Sequence, residues 1–182
     1  AVMSTQVEDG VINFIKSHNQ AKTVDVTWFG GEPLLAFSRM ESLTAKIQSL
    51  GLEYRAGIIT NGYLLTEPIA EKLDVLNVKS IQITLDGMKE MHNRRRFLKS
   101  GKGTFDKIIE NIELLNKKKP HIRIIIRINV NKENQFELID LYKYIKERNY
   151  SNTIFSPSFV ENPTNTFDGS SLLLSREEQA EY

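Results

Sequence analysis

The sequence predicts an α/β protein in which about five parallel strands alternate with helices, forming a sheet that is either open or curled into a barrel. Three observations carry this. Short β-branched runs recur at Val24–Phe29, Tyr54–Thr60, Ser80–Leu85, Arg123–Val130 and Thr153–Ser158. Their starts are roughly 25–45 residues apart, about the length of a βα unit. The intervening segments carry apolar residues at helical spacing. Regular alternation of this kind leads to parallel pairing through right-handed crossovers.

The elements follow in order. The chain opens on a helix, with Val7, Val11, Phe14 and Ile15 forming one apolar stripe. After the first strand, Ser38 with Glu41 fits a capping box, and Met40, Leu43, Ile47 and Leu50 continue the helix. Thr66 before Pro68 caps the helix after the second strand, and Thr104 after Gly103 caps another. That later helix carries Phe105, Ile108, Ile112 and Leu115; the next carries Phe136, Ile139, Tyr142 and Ile145. Ser175 with Glu178 fits a second capping box near the end.

Strands covered on both faces read as unbroken apolar runs. These alternate instead. Ser80, Gln82, Thr84 and Asp86 share one face opposite Ile81, Ile83 and Leu85. Arg123, Arg127 and Asn129 likewise oppose Ile124, Ile126, Ile128 and Val130; Asp25 and Thr27 oppose Val24 and Val26; Ser156 and Ser158 share a face. One consistent face is therefore polar. It is either wet, because the sheet is open there, or a lumen lined with hydrogen-bonding groups. Ligands of α/β sheets and barrels bind at the carboxyl ends of strands.

Composition narrows the chemistry. A chain of 182 residues, 40% hydrophobic, suits a single domain over 1–182. The balance of 24 Lys+Arg against 23 Asp+Glu leaves a net charge of +1. Neither nucleic acid nor an anionic membrane is expected as the main partner. No run approaches the roughly 18 apolar residues of a membrane span, and no signal-peptide layout opens the chain, so a cytoplasmic protein is expected. There is no cysteine. That excludes disulfides, thiolate zinc sites, Cys nucleophiles and an iron–sulfur cluster held by this chain.

Three strand ends carry motifs. The first strand runs into Trp28-Phe29-Gly30-Gly31-Glu32-Pro33-Leu34, where glycines permit close backbone approach to a ligand and Pro33 stiffens the turn. The second ends in Ile59-Thr60-Asn61-Gly62, a turn signal at a strand tip. The third ends in Thr84-Leu85-Asp86-Gly87, followed by Met91-His92-Asn93-Arg94-Arg95-Arg96 and Gly101-Lys102-Gly103-Thr104. This last tetrapeptide imitates a phosphate-binding loop but fails its pattern: Arg96 stands where the first glycine should, and Gly103 follows the lysine. His92 has no ligand spacing with His18 or His121, so no metal site is expected. No nucleophile elbow or acid–base carboxylate pair is present. The residues point to a ligand pocket at strand C-termini and leave its catalytic residues open.

Taken in order, these motifs resemble the radical S-adenosylmethionine (SAM) enzymes. The resemblance continues through Gly101-Lys102-Gly103-Thr104-Phe105-Asp106 and Ile126-Arg127-Ile128-Asn129-Val130, and is similar to the branch bearing a SPASM or twitch extension, which includes sulfatase-maturating and peptide-modifying enzymes. It implies a partial (β/α)6 TIM-like barrel. In the family, CxxxCxxC holds a 4Fe–4S cluster that chelates SAM; reductive cleavage gives a 5′-deoxyadenosyl radical for hydrogen abstraction, here from a peptide or protein, with an external electron donor. By this match Gly30, Gly31, Glu32 and Pro33 would follow the methionine moiety of SAM. Thr84 and Asp86 would line the lumen, Arg127 and Asn129 would hold ribose or carboxylate, and Asn61 would belong to the same wall.

No CxxxCxxC occurs here, and the first strand of such a barrel is missing. The expectation is a truncated core, with residues 170–182 starting a helix that leads to an absent C-terminal extension. Such a core is expected to be inactive and to bind SAM weakly or not at all, and its open edges to favour self-association. A cluster-free binding module, docking an acidic peptide on His92–Lys102, is the alternative.

Overall fold

A computed structural model describes residues 2–161 and 170–180. Helix α1 (Thr5–Ser17) precedes β1 (Thr23–Trp28), and a 3₁₀ turn (Pro33–Ala36) enters α2 (Phe37–Gln48). Then follow β2 (Glu53–Thr60), α3 (Glu67–Lys72), β3 (Val78–Thr84), α4 (Lys89–Arg95), α5 (Phe105–Lys118), β4 (Arg123–Val130), α6 (Glu137–Lys146) and β5 (Thr153–Phe159). A short turn, Ser170–Leu172, and α7 (Arg176–Gln179) come last. All five expected strands are present, in the order β1-β2-β3-β4-β5, and every neighbouring pair is parallel.

Register explains which face is dry. Trp28 pairs with Ile58, Ile58 with Ile81, and Ile81 with Ile124, so one apolar face runs unbroken across four strands. It packs on Met40, Leu43 and Ile47 of α2 and on Ile108, Ile112 and Leu115 of α5. Each such side chain contributes about 1.5–3 kcal/mol on burial, which sets the orientation of these four strands.

The opposite face is polar only in part. Thr84, Arg127 and Ser156 form one register row level with the end of β3, and Asn129 pairs with Ser158 beyond it. The row below is Ile59, Gln82, Ile125 and Ile154, apolar except for Gln82. The uniform polar face expected from alternation is thus corrected. The unbroken isoleucines at 124–126 hide the one that points inward.

Helix faces bring three further corrections. On α1, Val7 and Phe14 are exposed; the buried side is Glu8, with Val11, Ile12 and Ile15 against the core. Glu8 is 0% exposed and accepts from Arg39 (3.2 Å), Ser42 (3.2 Å) and Lys46 (3.1 Å), so a carboxylate anchors α1 to α2 where the apolar pattern looked past it. On α6, Leu138, Leu141 and Ile145 are buried, while Phe136, Ile139 and Tyr142 are exposed. Ser38 caps nothing. Pro33 starts a turn early, and α2 begins at Phe37 with Ala36 at its N-cap. The capping box at Ser175 and Glu178 is present, with both of its hydrogen bonds.

Candidate functional site at the strand ends

At the tip of β1 the chain turns through Gly30, whose φ of +147 an ordinary residue rarely adopts. A Cβ on Gly30 or Gly31 would meet no atom within 4 Å, so both face open space. Glu32 then ties this turn to β2. Its Oε1 accepts from the Leu34 amide (3.1 Å) and the Thr60 hydroxyl (2.7 Å), and its Oε2 from the Asn61 amide (2.8 Å). Pro33 holds the first turn of the 3₁₀ segment in place. Beside the glycines lies a cleft of about 450 Å³, lined by Trp28, Gly30, Gly31, Pro33, Arg39 and Met40. The buried Trp28 Nε1 has no hydrogen-bond partner among the described residues.

The tips of β3 and β4 are built differently. Asp86 is 3% exposed, and every polar atom it has is engaged. Its carboxylate accepts from Arg96 Nε (2.6 Å) and the Asn129 amide (3.3 Å). Its main-chain oxygen accepts from Asn134 Nδ2 (2.9 Å), and its amide donates to His92 Nδ1 (3.2 Å). His92 is 0% exposed, edge-on to Phe105, and burial pushes its pKa down to about 4. Since Nδ1 accepts, the neutral ring carries its proton on Nε2 and donates to Thr104 Oγ1 (3.0 Å); that hydroxyl donates to the Arg96 carbonyl (2.9 Å). His92 is therefore a buried keystone of the loop. Thr104 sits at the N-cap of α5, but its side chain does not cap; Asn93 Oδ1 accepts from the Thr104 and Phe105 amides (2.8 and 3.0 Å).

The expected site residues therefore form two groups. Gly30, Gly31, Glu32, Pro33 and Asn61 are joined through the Glu32 carboxylate. Thr84, Asp86, Arg127 and Asn129 meet at the ends of β3 and β4, with Arg127 Nε donating to Asn129 Oδ1 (3.4 Å). The cleft beside the glycines opens on the Trp28 side of β1, the face that the helices cover, whereas Thr84 and Arg127 lie on the other face. Ser156, in register with Arg127, completes the polar row. Its signal in the sequence was the short Ser156/Ser158 alternation.

A second cavity of about 520 Å³ lies between the β2 tip and the α4–α5 connection, lined by Asn61, Tyr63, Leu64, Phe97, Leu98 and Ile108 among others. It shares Glu32 and Leu35 with the first. Its outer lip is a small hairpin. Phe97 and Gly103 form an antiparallel bridge, and the Leu98 amide donates to the Lys102 carbonyl (2.9 Å). The segment that imitated a phosphate loop is one arm of this hairpin. Among the described residues, no three His, Asp or Glu side chains are grouped so as to hold a metal ion.

Comparisons with known proteins agree with this architecture. The chain is 30% identical over 132 residues to a cysteine-type anaerobic sulfatase-maturating enzyme of Clostridium novyi (strain NT), covering 70% of this chain and 34% of that protein. It is 31% identical over 174 residues to a serine-type anaerobic sulfatase-maturating enzyme of Bacteroides thetaiotaomicron, covering 92% of this chain and 40% of that one. The solved structure of native anSMEcpe with bound AdoMet and Kp18Cys peptide shares the fold, with a TM-score of 0.76 at 24% identity over 92% of this chain and 47% of that chain. The parallel strands with flanking helices are those of a partial barrel of this type. The chain spans well under half the length of the curated relatives it matches. The model of the radical SAM superfamily matches residues 5–145, and this chain belongs to that superfamily.

Proposed function

We propose that this chain is the SAM-binding (AdoMet-binding) part of a radical SAM maturase that modifies a peptide or protein. One observation carries the reading. Thr84, the last residue of β3, stands in register with Arg127 inside β4 and Ser156 inside β5, and the terminal guanidinium nitrogens of Arg127 have no partner among the described residues. Unpartnered donors in a half-buried row suit a ligand bearing a carboxylate and hydroxyls, and AdoMet bears both. When bound, AdoMet supplies hydrogen-abstraction chemistry. The chain's own residues bind and orient it. Thr84, Arg127 and Asn129 offer polar side chains on the face away from the helix-covered cleft. The turn at Gly30 and Gly31, beyond the end of β1, offers open backbone to the part of the ligand that reaches past the strand tips. Glu32 and Asp86 act from behind, because their carboxylates already accept from neighbouring donors. Glu32 holds Pro33 and Asn61 in register with the turn.

The 4Fe–4S cluster does not fit this chain's donor set, since none of its 182 residues is a cysteine. No thiolate ligand comes from this chain. The relatives' names support a maturase, and the AdoMet- and peptide-bound neighbour supports a peptide substrate. By itself the chain is inactive and binds AdoMet with a Kd on the order of millimolar, because chelation by a cluster is lacking. An NMR titration with AdoMet tests this. Amide shifts are expected at Gly31, Thr84 and Arg127, and they should vanish in Arg127→Met. Shifts confined to other residues would sink the assignment, and micromolar affinity would sink the dependence on a cluster.

A further inference from the structure

The cavity between the β2 tip and the α4–α5 hairpin is unused by the reading above, yet its construction is specific. Its floor is apolar: Leu64, Ile108 and Leu98. Phe97, on the hairpin, also lines it and is 60% exposed, so its ring is available to a partner. Asn61 Nδ2 and the Tyr63 hydroxyl have no hydrogen-bond partner among the described residues, and both residues line the cavity.

Charge around the cavity is one-sided. Between Arg94 and Phe105 the chain has no acidic residue. Arg96 is neutralised by Asp86, but among the described residues Arg95 bonds only the neutral Asn131 and Arg94 only the Met91 sulfur. Lys99 and Lys102, on the exposed hairpin, have no carboxylate partner among the described residues. The cations are held on a short turn, with the Gly101 amide donating to the Leu98 carbonyl (2.7 Å), so they act from a formed surface. The one acid lining the cavity, Glu32, is fully engaged by backbone amides and Thr60.

We propose that this cavity and its hairpin lip are a docking subsite for an acidic segment of the peptide or protein substrate. An apolar side chain of the substrate inserts between Leu64, Phe97 and Ile108. Carboxylates on either side of it meet Arg95, Lys99 and Lys102, while Asn61 and Tyr63 hydrogen-bond the peptide backbone. The proposal rests on the maturase reading for the nature of the partner. Its geometry fits that role, because Glu32 and Leu35 line both this cavity and the cleft at Gly31, so a bound chain would reach the β1 turn. A nucleic acid is disfavoured by the near-neutral total charge of +1 and by an apolar floor sized for a side chain.

The test is fluorescence anisotropy with the protein and short fluorescein-labelled peptides, without AdoMet. One probe alternates leucine with glutamate, a second replaces glutamate by lysine, and a third replaces leucine by serine. The first is expected to bind, and the other two at least about tenfold more weakly. Lys99→Glu with Lys102→Glu should weaken the first probe by about tenfold, and Phe97→Ser by a similar factor, with unchanged far-UV circular dichroism. Because both lysines are exposed, the double variant keeps the test decisive even if Phe97→Ser were to misfold. Equal binding of the glutamate and lysine probes would overturn the proposal. So would no binding of the first probe, an unaffected double variant, or tighter binding of a single-stranded oligonucleotide or an anionic vesicle. AdoMet shifts at Thr84 and Arg127 should persist in the double variant; their loss in the parent protein would count against the AdoMet assignment while leaving the peptide result standing.

Discussion

The tips of β1 and β3 read alike in the sequence, each a polar or aromatic strand end followed by glycine, but they differ in what surrounds them. Around Gly30 and Gly31 a Cβ would meet nothing within 4 Å, and the Glu32 carboxylate ties the turn to the tip of β2. Around Gly87 a Cβ would fall 2.7 Å from Met91 Cγ, and Asp86 beside it is held by Arg96, His92, Asn129 and Asn134. One tip is open backbone braced from a single side. The other is a closed hydrogen-bond network in which each group satisfies several. The difference teaches that the glycines at these tips do different work: approach by a ligand at one, close packing at the other.

Substitutions should separate the two tips, and the largest effect belongs to the network. His92→Ala removes a fully buried ring and leaves the Asp86 amide and the Thr104 hydroxyl short of a partner. A loss of about 4 kcal/mol in urea unfolding is expected; a loss below about 1 kcal/mol would break the contrast. The pH dependence has a matching sign. His92 titrates near 6.5 when unfolded and near 4 when folded, so the unfolded chain binds the extra proton between these values. Its contribution is complete above pH 6.5 and is lost as pH falls towards 4, by roughly 3 kcal/mol. The charges facing it are Asp86, Arg95 and Arg96. Stability curves of the wild type and His92→Gln should diverge over that interval and run parallel above it.

Asn93→Ala removes the acceptor that caps α5 from a neighbouring helix. About 1–2 kcal/mol should be lost, together with hydrogen-exchange protection in the first turn of α5. At the open tip, Gly31→Ala should change unfolding free energy by less than about 0.5 kcal/mol while weakening AdoMet, because its methyl group would project into the space the ligand is proposed to fill. A large destabilisation at Gly31 would show that the turn is packed after all.

Much of the architecture was legible. The β4 limits Arg123–Val130 coincide with expectation, and the other strand limits differ by at most a couple of residues, because β-branched runs bounded by turn residues have few alternatives. Helix faces were less legible. On α6 the run Phe136, Ile139, Tyr142 and Leu138, Leu141, Ile145 are two apolar stripes, and only packing against the sheet selected the second. On α1 a carboxylate lies on the buried side, which a count of apolar residues cannot register. At the site, residue identity was readable but grouping was not. Glu32 finds Thr60 and Asn61, and Asp86 finds Arg96 and Asn129, through contacts distant in the chain.

The sequence by itself determined an alternating α/β chain, a parallel sheet and a set of polar residues at strand ends, since periodicity and turn chemistry are local properties. It also determined that no thiolate comes from this chain. Tertiary structure decided which polar side chains are exhausted by neighbours and which keep free donors. It closed Asp86 and His92 into a network and left Arg127, Asn61 and Tyr63 with groups that no other described residue engages. The physical reason is that hydrogen-bond satisfaction depends on partners brought together by strand register and helix packing, which no local pattern encodes.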